Sequence, residues 1–371
     1  MEEKNLLLKS QNQKLDFWLI AASILLVVIG LLSIYDASVI TAFRDFSDKL
    51  YYFKNQLTWA ALGLLAMGFF SFFDYRKLLK ISPFLLTICI ILLAVVLIPG
   101  IGNEIYGARR WIGFGKFTFQ PSEITKLALI LYGTAIISKF EKYKIKIGDI
   151  LIVFFLPLLI SVALVLFQPD LGTALIFIGI ILTIYFIGKA PIWHFLLAIP
   201  LVIGSAVIAI IAEPYRLARL KSFIDPTFDP QNTSYQISQI LNALSSGGFL
   251  GVGIGASRSK FAFIPEVQGD AIFAIIVEEM GFVGAIFLIS LFLFLITRAI
   301  AIAREAPETN GKILAMGIVG LLSIQILFNL ASVVALVPLT GIPLPFISYG
   351  GSSLFVTLVS VGILLNIKRQ S

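Results

Sequence analysis

The sequence predicts an all-α integral membrane protein of ten transmembrane helices, and three observations carry that prediction. Hydrophobic residues make up 58% of the 371 positions and charged residues only 13%, against about 25% charged in an average soluble domain. Apolar runs of about 18 residues or more recur along the chain, long enough to cross a hydrocarbon core of roughly 30 Å as helices. The sequence shows no alternating pattern of the kind a transmembrane barrel requires.

In order, the expected spans are Phe17–Tyr35, Leu57–Phe73, Ile81–Ile98, Ser122–Ser138, Ile150–Phe167, Leu171–Ile187, Trp193–Ala212, Ala271–Thr297, Ile313–Val337 and Ser352–Leu365. They form a single polytopic domain over 1–371, without a repeat, a low-complexity tract or a soluble domain. An even number of spans puts both termini on one side. With the termini in the cytoplasm, the inner segments hold Lys4, Lys9, Lys14, Arg76, Lys77, Lys80, Lys139, Lys142, Lys144, Lys146, Lys189, Arg298, Arg304, Lys312, Lys368 and Arg369, as the positive-inside rule requires. Met1 to Lys14 is polar and has no small-residue cleavage site, so it reads as a retained tail.

The formal net charge of +7 would suggest nucleic acid in a soluble protein, but here it is mostly topology. The cations left outside need a reason: Arg44, Lys49 and Lys54, then Arg109, Arg110 and Lys116, then Arg216, Arg219, Lys221, Arg258 and Lys260. An anionic ligand such as a phosphate supplies one, with lipid headgroups as the alternative. The one cysteine, Cys89, lies in an apolar run and the one histidine, His194, near a helix end. Both read as packing or interfacial side chains, and together they exclude His/Cys metal sites.

A large extracytoplasmic loop, 213–269, joins the seventh and eighth spans. Loops of that length are usually functional or disordered. Ile237, Ile240, Leu241 and Leu244 fall at helical spacing and predict a short amphipathic helix on the membrane surface, preceded by Asp225-Pro226 and Asp229-Pro230 turns.

Four polar motifs fall on the outer face. In the first, Gly107 to Lys126, the Arg109-Arg110-Trp111 cluster is followed by Gln120, by Pro121 at a helix start, and by Glu123 and Lys126 three apart on one face. Ionisable groups inside a span pair with each other or face a polar cavity. The second, Gln168 to Thr173, is a tight turn in which Asp170 caps the next helix. The third runs from Tyr235 to Gly281, with five glycines between Gly247 and Gly255, then Arg258, Lys260, Pro265-Glu266 and Asp270. Its glycines could form an anion nest. Asp270, at the mouth of the eighth span, reads as a general base or an N-cap, and the adjacent Glu278 and Glu279 point apart and cannot share a partner. The fourth, Pro338 to Ser353, holds three prolines and three glycines. It reads as re-entrant or lid-like backbone, or as an architectural hinge.

The sequence has neither a P-loop nor a dinucleotide fingerprint. A donor used at the outer leaflet is therefore already activated, which suggests a lipid-linked diphosphate and displacement at a sugar carbon. Two other readings stand beside this one: a flippase that moves a lipid-linked precursor outward, and a scaffold that binds a partner's membrane helix through small-residue surfaces.

GARRWI, QPSE with Lys126, QPDLGT, the glycine series ending at Asp270 and PLTGIPLPFISYGGSS resemble the SEDS family of bacterial shape, elongation, division and sporulation proteins. The segments RLKSFIDP and GIGASRSKFAFIPE are more FtsW-like than RodA-like. The resemblance implies a peptidoglycan glycosyltransferase of the bacterial cytoplasmic membrane that polymerises lipid II and acts with a class B penicillin-binding protein. It implies Asp270 as catalytic carboxylate, with Glu123 and Lys126 lining a central cavity and Arg109, Arg110 and Trp111 at its rim. Gln120, Gln168, Asp170, Lys260, Ser348, Tyr349 and Gly350 complete the substrate-binding candidates. A divalent cation, Mg2+ or Mn2+, at Asp270 is compatible with the resemblance, although the sequence has no metal-ligand signature; no organic cofactor is implied. Ala271 stands where the family commonly has an aromatic residue.

Overall fold

The computed structural model describes residues 15–105, 107–114, 117–143, 151–225, 227–229, 233–260 and 267–371. Pro226, Pro230, Pro265, Glu266, Lys116, Lys144, Lys146, Ile150 and the first three lysines lie outside these residues.

The helices are α1 (Phe17–Phe46), α2 (Tyr51–Phe72), α3 (Tyr75–Val95), α4 (Pro121–Tyr143), α5 (Leu156–Phe167), α6 (Leu171–Ile187), α7 (Ile192–Ile211), α8 (Pro214–Ile224), α9 (Thr233–Gly247), α10 (Ile272–Glu305), α11 (Thr309–Val333) and α12 (Gly351–Arg369). Six of them, α1, α3, α7, α10, α11 and α12, are long and apolar enough to cross a membrane. Helix also occupies the other expected spans, as α2, α4, a π turn running into α5, and α6.

Local chemistry sets the helix starts. Asp16 caps α1 by accepting from the Leu19 N–H at 2.9 Å, and Asp74 caps α3 by accepting from Arg76 at 2.9 Å. Pro121 opens α4, where its missing N–H costs nothing.

Polar contacts define the two ends of the bundle. At one end Arg298 donates to Asp16, Arg76 to Glu308 (2.7 Å), Lys368 to Glu305 (2.5 Å) and the Tyr75 N–H to the Asn366 side chain (3.0 Å). This end brings together the start of α1, the α2–α3 and α10–α11 turns and the end of α12. The opposite end holds all four polar motifs.

Helix α12 is buried along nearly its whole length and packs on α2 through small residues. A Cβ on Gly63, Gly362 or Gly351 would come within 2.6 Å of Leu358, 2.6 Å of the Met67 carbonyl or 2.1 Å of Trp59. Close backbone approach of this kind is how helices associate where lipid removes the hydrophobic driving force.

Three expectations are corrected. The chain is not purely helical: Gly102–Ile105, Ala108–Phe114 and Phe117–Phe119 form β1, β2 and β3 of an antiparallel sheet, ordered β1-β2-β3. Ile112 pairs with both Gly102 and Phe119. Helix α9 exists, but it buries Ile237, Ile240 and Ala243 inside the protein against α10 rather than lying free on a membrane surface. The eighth span is two helices across a break at Gly281 (φ 64°, ψ −163°), and its first part, 272–279, is buried throughout.

The break at Gly281 is filled by the glycine-rich segment. The N–H groups of Val252 and Gly253 donate to the carbonyls of Glu278 and Glu279 at 2.9 and 3.1 Å, and those of Phe282 and Val283 donate back to Gly248 and Phe249 at 3.0 and 3.2 Å. A Cβ on Gly281 would lie 2.3 Å from the Gly251 nitrogen, on backbone that L residues rarely adopt. Gly281→Ala is therefore expected to cost about 2–4 kcal/mol. Gly68→Ala, with nothing within 4 Å of the added carbon, leaves the melting temperature unchanged or raised; thermal unfolding of the two purified variants checks the contrast.

Candidate active site

The irregular backbone between α11 and α12, 334–350, joins the four motifs. Asn329, buried on α11, donates through Nδ2 to the carbonyls of Asp270 and Ile342, both at 2.8 Å. The Tyr349 N–H donates to the Gln268 carbonyl at 2.8 Å. Gln56 of α2 donates to the Ser348 carbonyl at 3.3 Å and accepts from the Gly350 N–H at 3.2 Å. Ser348 Oγ in turn accepts from the Leu344 N–H at 2.8 Å. The first motif reaches this loop's edge through the Gln120 N–H and Ser352 Oγ, 3.4 Å apart. The second reaches it at Gly172, where a Cβ would lie 2.8 Å from the Thr340 carbonyl. Only polar partners make such backbone tolerable inside a helical membrane bundle.

Asp270 is half-buried beside this loop. Ala271 occupies the cap position of α10, with no side-chain cap bond, so Asp270 is not spent as an N-cap. Burial pushes its pKa above the ordinary carboxylate value. The Arg219 guanidinium and the N–H groups of Asp270 and Ala271 bring it part of the way back. Arg219 is exposed on α8 and donates to the Leu339 carbonyl at 3.3 Å. Helix α8 is further held by Tyr215, whose hydroxyl donates to the Pro169 carbonyl at 2.9 Å.

Several candidates make their contacts within the fold. Gln168 is buried and donates to the Leu93 carbonyl at 3.0 Å, tying the end of α3 to the turn. Asp170 caps α6, accepting from the Thr173 N–H and hydroxyl at 3.0 and 2.9 Å. Arg110 clamps that turn, donating to the Gln168 carbonyl at 2.8 Å and the Pro169 carbonyl at 2.5 Å, with Asp170 3.8 Å away. Arg109 pairs with Glu104 at 2.9 Å on the exposed sheet, and Trp111 is half-exposed opposite Asn103. Glu123 and Lys126 are buried and paired with each other at 2.7 Å.

Lys260 belongs to a different group. Its Nζ donates to Asp36 on α1 at 2.8 Å, to the Gly255 carbonyl at 2.8 Å and to Glu279 on α10 at 3.0 Å. Although burial works against its charge, the two carboxylates hold its pKa above the ordinary lysine value. Ser257 donates its N–H to Glu279 (3.2 Å) and its hydroxyl to Glu278 (2.6 Å). Adjacent carboxylates thus do serve one partner residue, because Ser257 offers a donor in each direction. The anion-nest reading fails for the same segment, since the N–H groups of Gly251, Val252 and Gly253 are already bonded to carbonyls.

Asn329, Gln56 and Asp36 were not singled out from the sequence. Each is a polar side chain inside or at the end of an apolar run, and that rarity was the available signal. His194 contacts Tyr185 across 2.6 Å and stacks on it, and Cys89 is buried; both are packing residues. Among the described residues no group of three or more His, Cys, Asp or Glu is placed to hold a metal ion.

Residues 17–371 match the FtsW/RodA/SpoVE family of cell cycle proteins. The chain belongs to this family. It is 41% identical to Stage V sporulation protein E of Bacillus subtilis (strain 168), over 96% of this chain and 97% of that protein. It is 38% identical to "Probable peptidoglycan glycosyltransferase FtsW" of Trichlorobacter lovleyi, over 95% of this chain and 92% of that protein. Among solved structures, a chain described under structural coordination of polymerization and crosslinking by a peptidoglycan synthase complex superposes with a TM-score of 0.78 at 28% identity, covering 96% of this chain and 98% of that one. Family membership and six membrane-length apolar helices make this FtsW/RodA/SpoVE protein a multi-pass membrane protein.

The Glu123–Lys126 pair lends itself to a direct measurement. Lys126→Met alone leaves a buried carboxylate unpaired and is expected to cost about 3–5 kcal/mol. Adding Glu123→Gln is expected to recover most of that loss in thermal unfolding, as a self-contained pair requires.

Proposed function

We propose that this family member is a peptidoglycan glycosyltransferase that polymerises lipid II at the outer face of the bacterial cytoplasmic membrane, with Asp270 as its general base. The observation that carries the reading is a half-buried carboxylate, not consumed as a helix cap, on a residue whose main-chain carbonyl is held by Asn329, and facing the charge of Arg219 in a membrane bundle. The FtsW name of its relatives supports the reaction. Ten spans with both termini inside follow from the positive-inside distribution and put the four motifs on the outer side. A class B penicillin-binding protein is the proposed partner, supported by the structural likeness to a chain of a peptidoglycan synthase complex. Relatives named for FtsW and sporulation stage V support the division and sporulation branches of the family over the elongation branch.

In this mechanism Asp270 takes the proton of the acceptor hydroxyl as its oxygen bonds to the sugar carbon of the donor. The bond from that carbon to the lipid diphosphate breaks, and the electron pair leaves with the diphosphate. A carboxylate with a raised pKa is a stronger base than an exposed one, so burial serves the proton transfer. Arg219, anchored through one of its donors, keeps others free for the anionic leaving group. The described residues do not by themselves make a divalent-cation site, and no step runs through one.

The test is polymerisation of labelled lipid II, with Mg2+ or Mn2+, by the purified chain with and without a cognate penicillin-binding protein. Polymer from wild type and none from a folded Asp270→Asn variant is the expected result. No polymer from any combination, alongside lipid II translocation in vesicles that survives Asp270→Asn, would sink the enzyme and favour the flippase.

The pH profile carries a second prediction. Activity rises as Asp270 loses its proton, so the acidic limb is centred above the ordinary carboxylate value of about 3.9. Arg219→Met removes a charge that favours the ionised form and moves the limb to still higher pH, while Arg219→Lys restores it. A rate that falls with the limb unmoved would show that Arg219 acts on the leaving group alone.

A further inference from the structure

The segment that fills the break in α10 carries a set of side chains no step above uses. Between Gly247 and Ala256 there is no charged residue. Phe249, Leu250 and Ile254 are 68%, 75% and 83% exposed, and Val252 is exposed too. Scattered exposed apolar residues need no explanation, but four on one short loop do.

Three observations bear on what covers them. First, the loop is stitched to α10 at residues 278–283, where the exposed apolar stripe of that helix begins: Met280, Phe282, Val283, Ile286 and Phe287 continue from it, with Phe249 and Phe282 in ring contact at 6.0 Å. Second, the donors of Gly251, Val252, Gly253 and Ala256 are bonded to carbonyls, which lowers the cost of bringing those peptide groups near hydrocarbon. Third, two ionic clamps between α1 and α10 give the height. Arg298–Asp16 and Lys260–Asp36–Glu279 stand roughly 30 Å apart along either helix at a rise of about 1.5 Å per residue, which matches a hydrocarbon core. The loop hangs at the upper clamp, where the Lys260 ammonium binds the Gly255 carbonyl.

We propose that Phe249–Ile254 is a finger inserted into the bilayer, its side chains covered by the acyl chains of the leaflet at the site end of the bundle. The lipid surface continues the lipid-facing stripe of α10 and holds the segment that leads through Lys260 towards Asp270. Polar groups bracket it on the protein side, so the finger enters only as far as the clamp allows.

A spin label tests the placement in the full-length chain. In a Cys89→Ala background, Ile254→Cys is labelled in nanodiscs of phosphatidylethanolamine and phosphatidylglycerol, with Leu293→Cys as the lipid-facing reference and Thr227→Cys as the aqueous one. Both reference positions are exposed, and Cys89 is buried. The expected result is collision with oxygen in preference to a nickel chelate, as at Leu293 and inverted relative to Thr227. Preference for the nickel chelate, as at Thr227, overturns the proposal. So does shielding from both reagents, which a partner helix would give, and so does spin–spin broadening that vanishes on dilution with unlabelled chain, which a second copy would give. Because every labelled position is exposed and no activity is read, the outcome is separate from the polymerase assay.

Discussion

The side-chain amide of Asn329 donates to two carbonyls that belong to different loops, those of Asp270 and Ile342. Both loops are irregular backbone at the end of a membrane bundle, where unpaired peptide groups are expensive. One buried amide satisfies both and thereby fixes the distance between them. The rest of the site follows: Tyr349 bonds to Gln268, Gln56 to Ser348 and Gly350, and α8 arrives over Leu339 with Arg219 beside Asp270. The catalytic candidate is thus placed by main-chain bonds, while its carboxylate meets the N–H groups of Asp270 and Ala271 and the charge of Arg219.

Charges elsewhere in the molecule do different work. The Arg298–Asp16 and Lys260–Asp36–Glu279 contacts fasten α1 to α10 at two heights. Glu123–Lys126 closes on itself inside α4. Breaking a buried pair is costly even where making it gained little, so the two contacts between α1 and α10 act as register marks for helices whose lipid-like surfaces could otherwise slide. The Lys260 cluster and the Asp270 loop use different partners, so residues of one sequence motif are held by separate contacts.

Glycine plays a corresponding part in the backbone. Gly281 and Gly251 meet where α10 breaks, and the carbonyls of Glu278 and Glu279 freed there are taken by Val252 and Gly253. A helix break in a membrane protein requires a substitute donor, and a strand of small residues can approach closely enough to be one. A glycine run that looks suited to anions is, in this fold, the repair of a broken helix.

Much of this was legible in the chain. Apolar run length determined the helices, because the cost of crossing hydrocarbon acts on each segment alone, and the turn chemistry of Asp170, Pro121 and the proline-rich loop was likewise local. The motifs that mark the family were read from their order and spacing. The small sheet was missed because its strands are short and sit between hydrophobic runs, and the break at Gly281 because nothing in an apolar stretch announces where another segment will enter. Tertiary structure alone decided the partners of Gln168, Arg110 and Lys260, and that Ala271 rather than Asp270 stands at the cap of α10. The partners of these three at Leu93, Gln168 and Asp36 lie tens to hundreds of residues away in sequence, so the contacts of a side chain are a property of the fold and not of the motif that contains it.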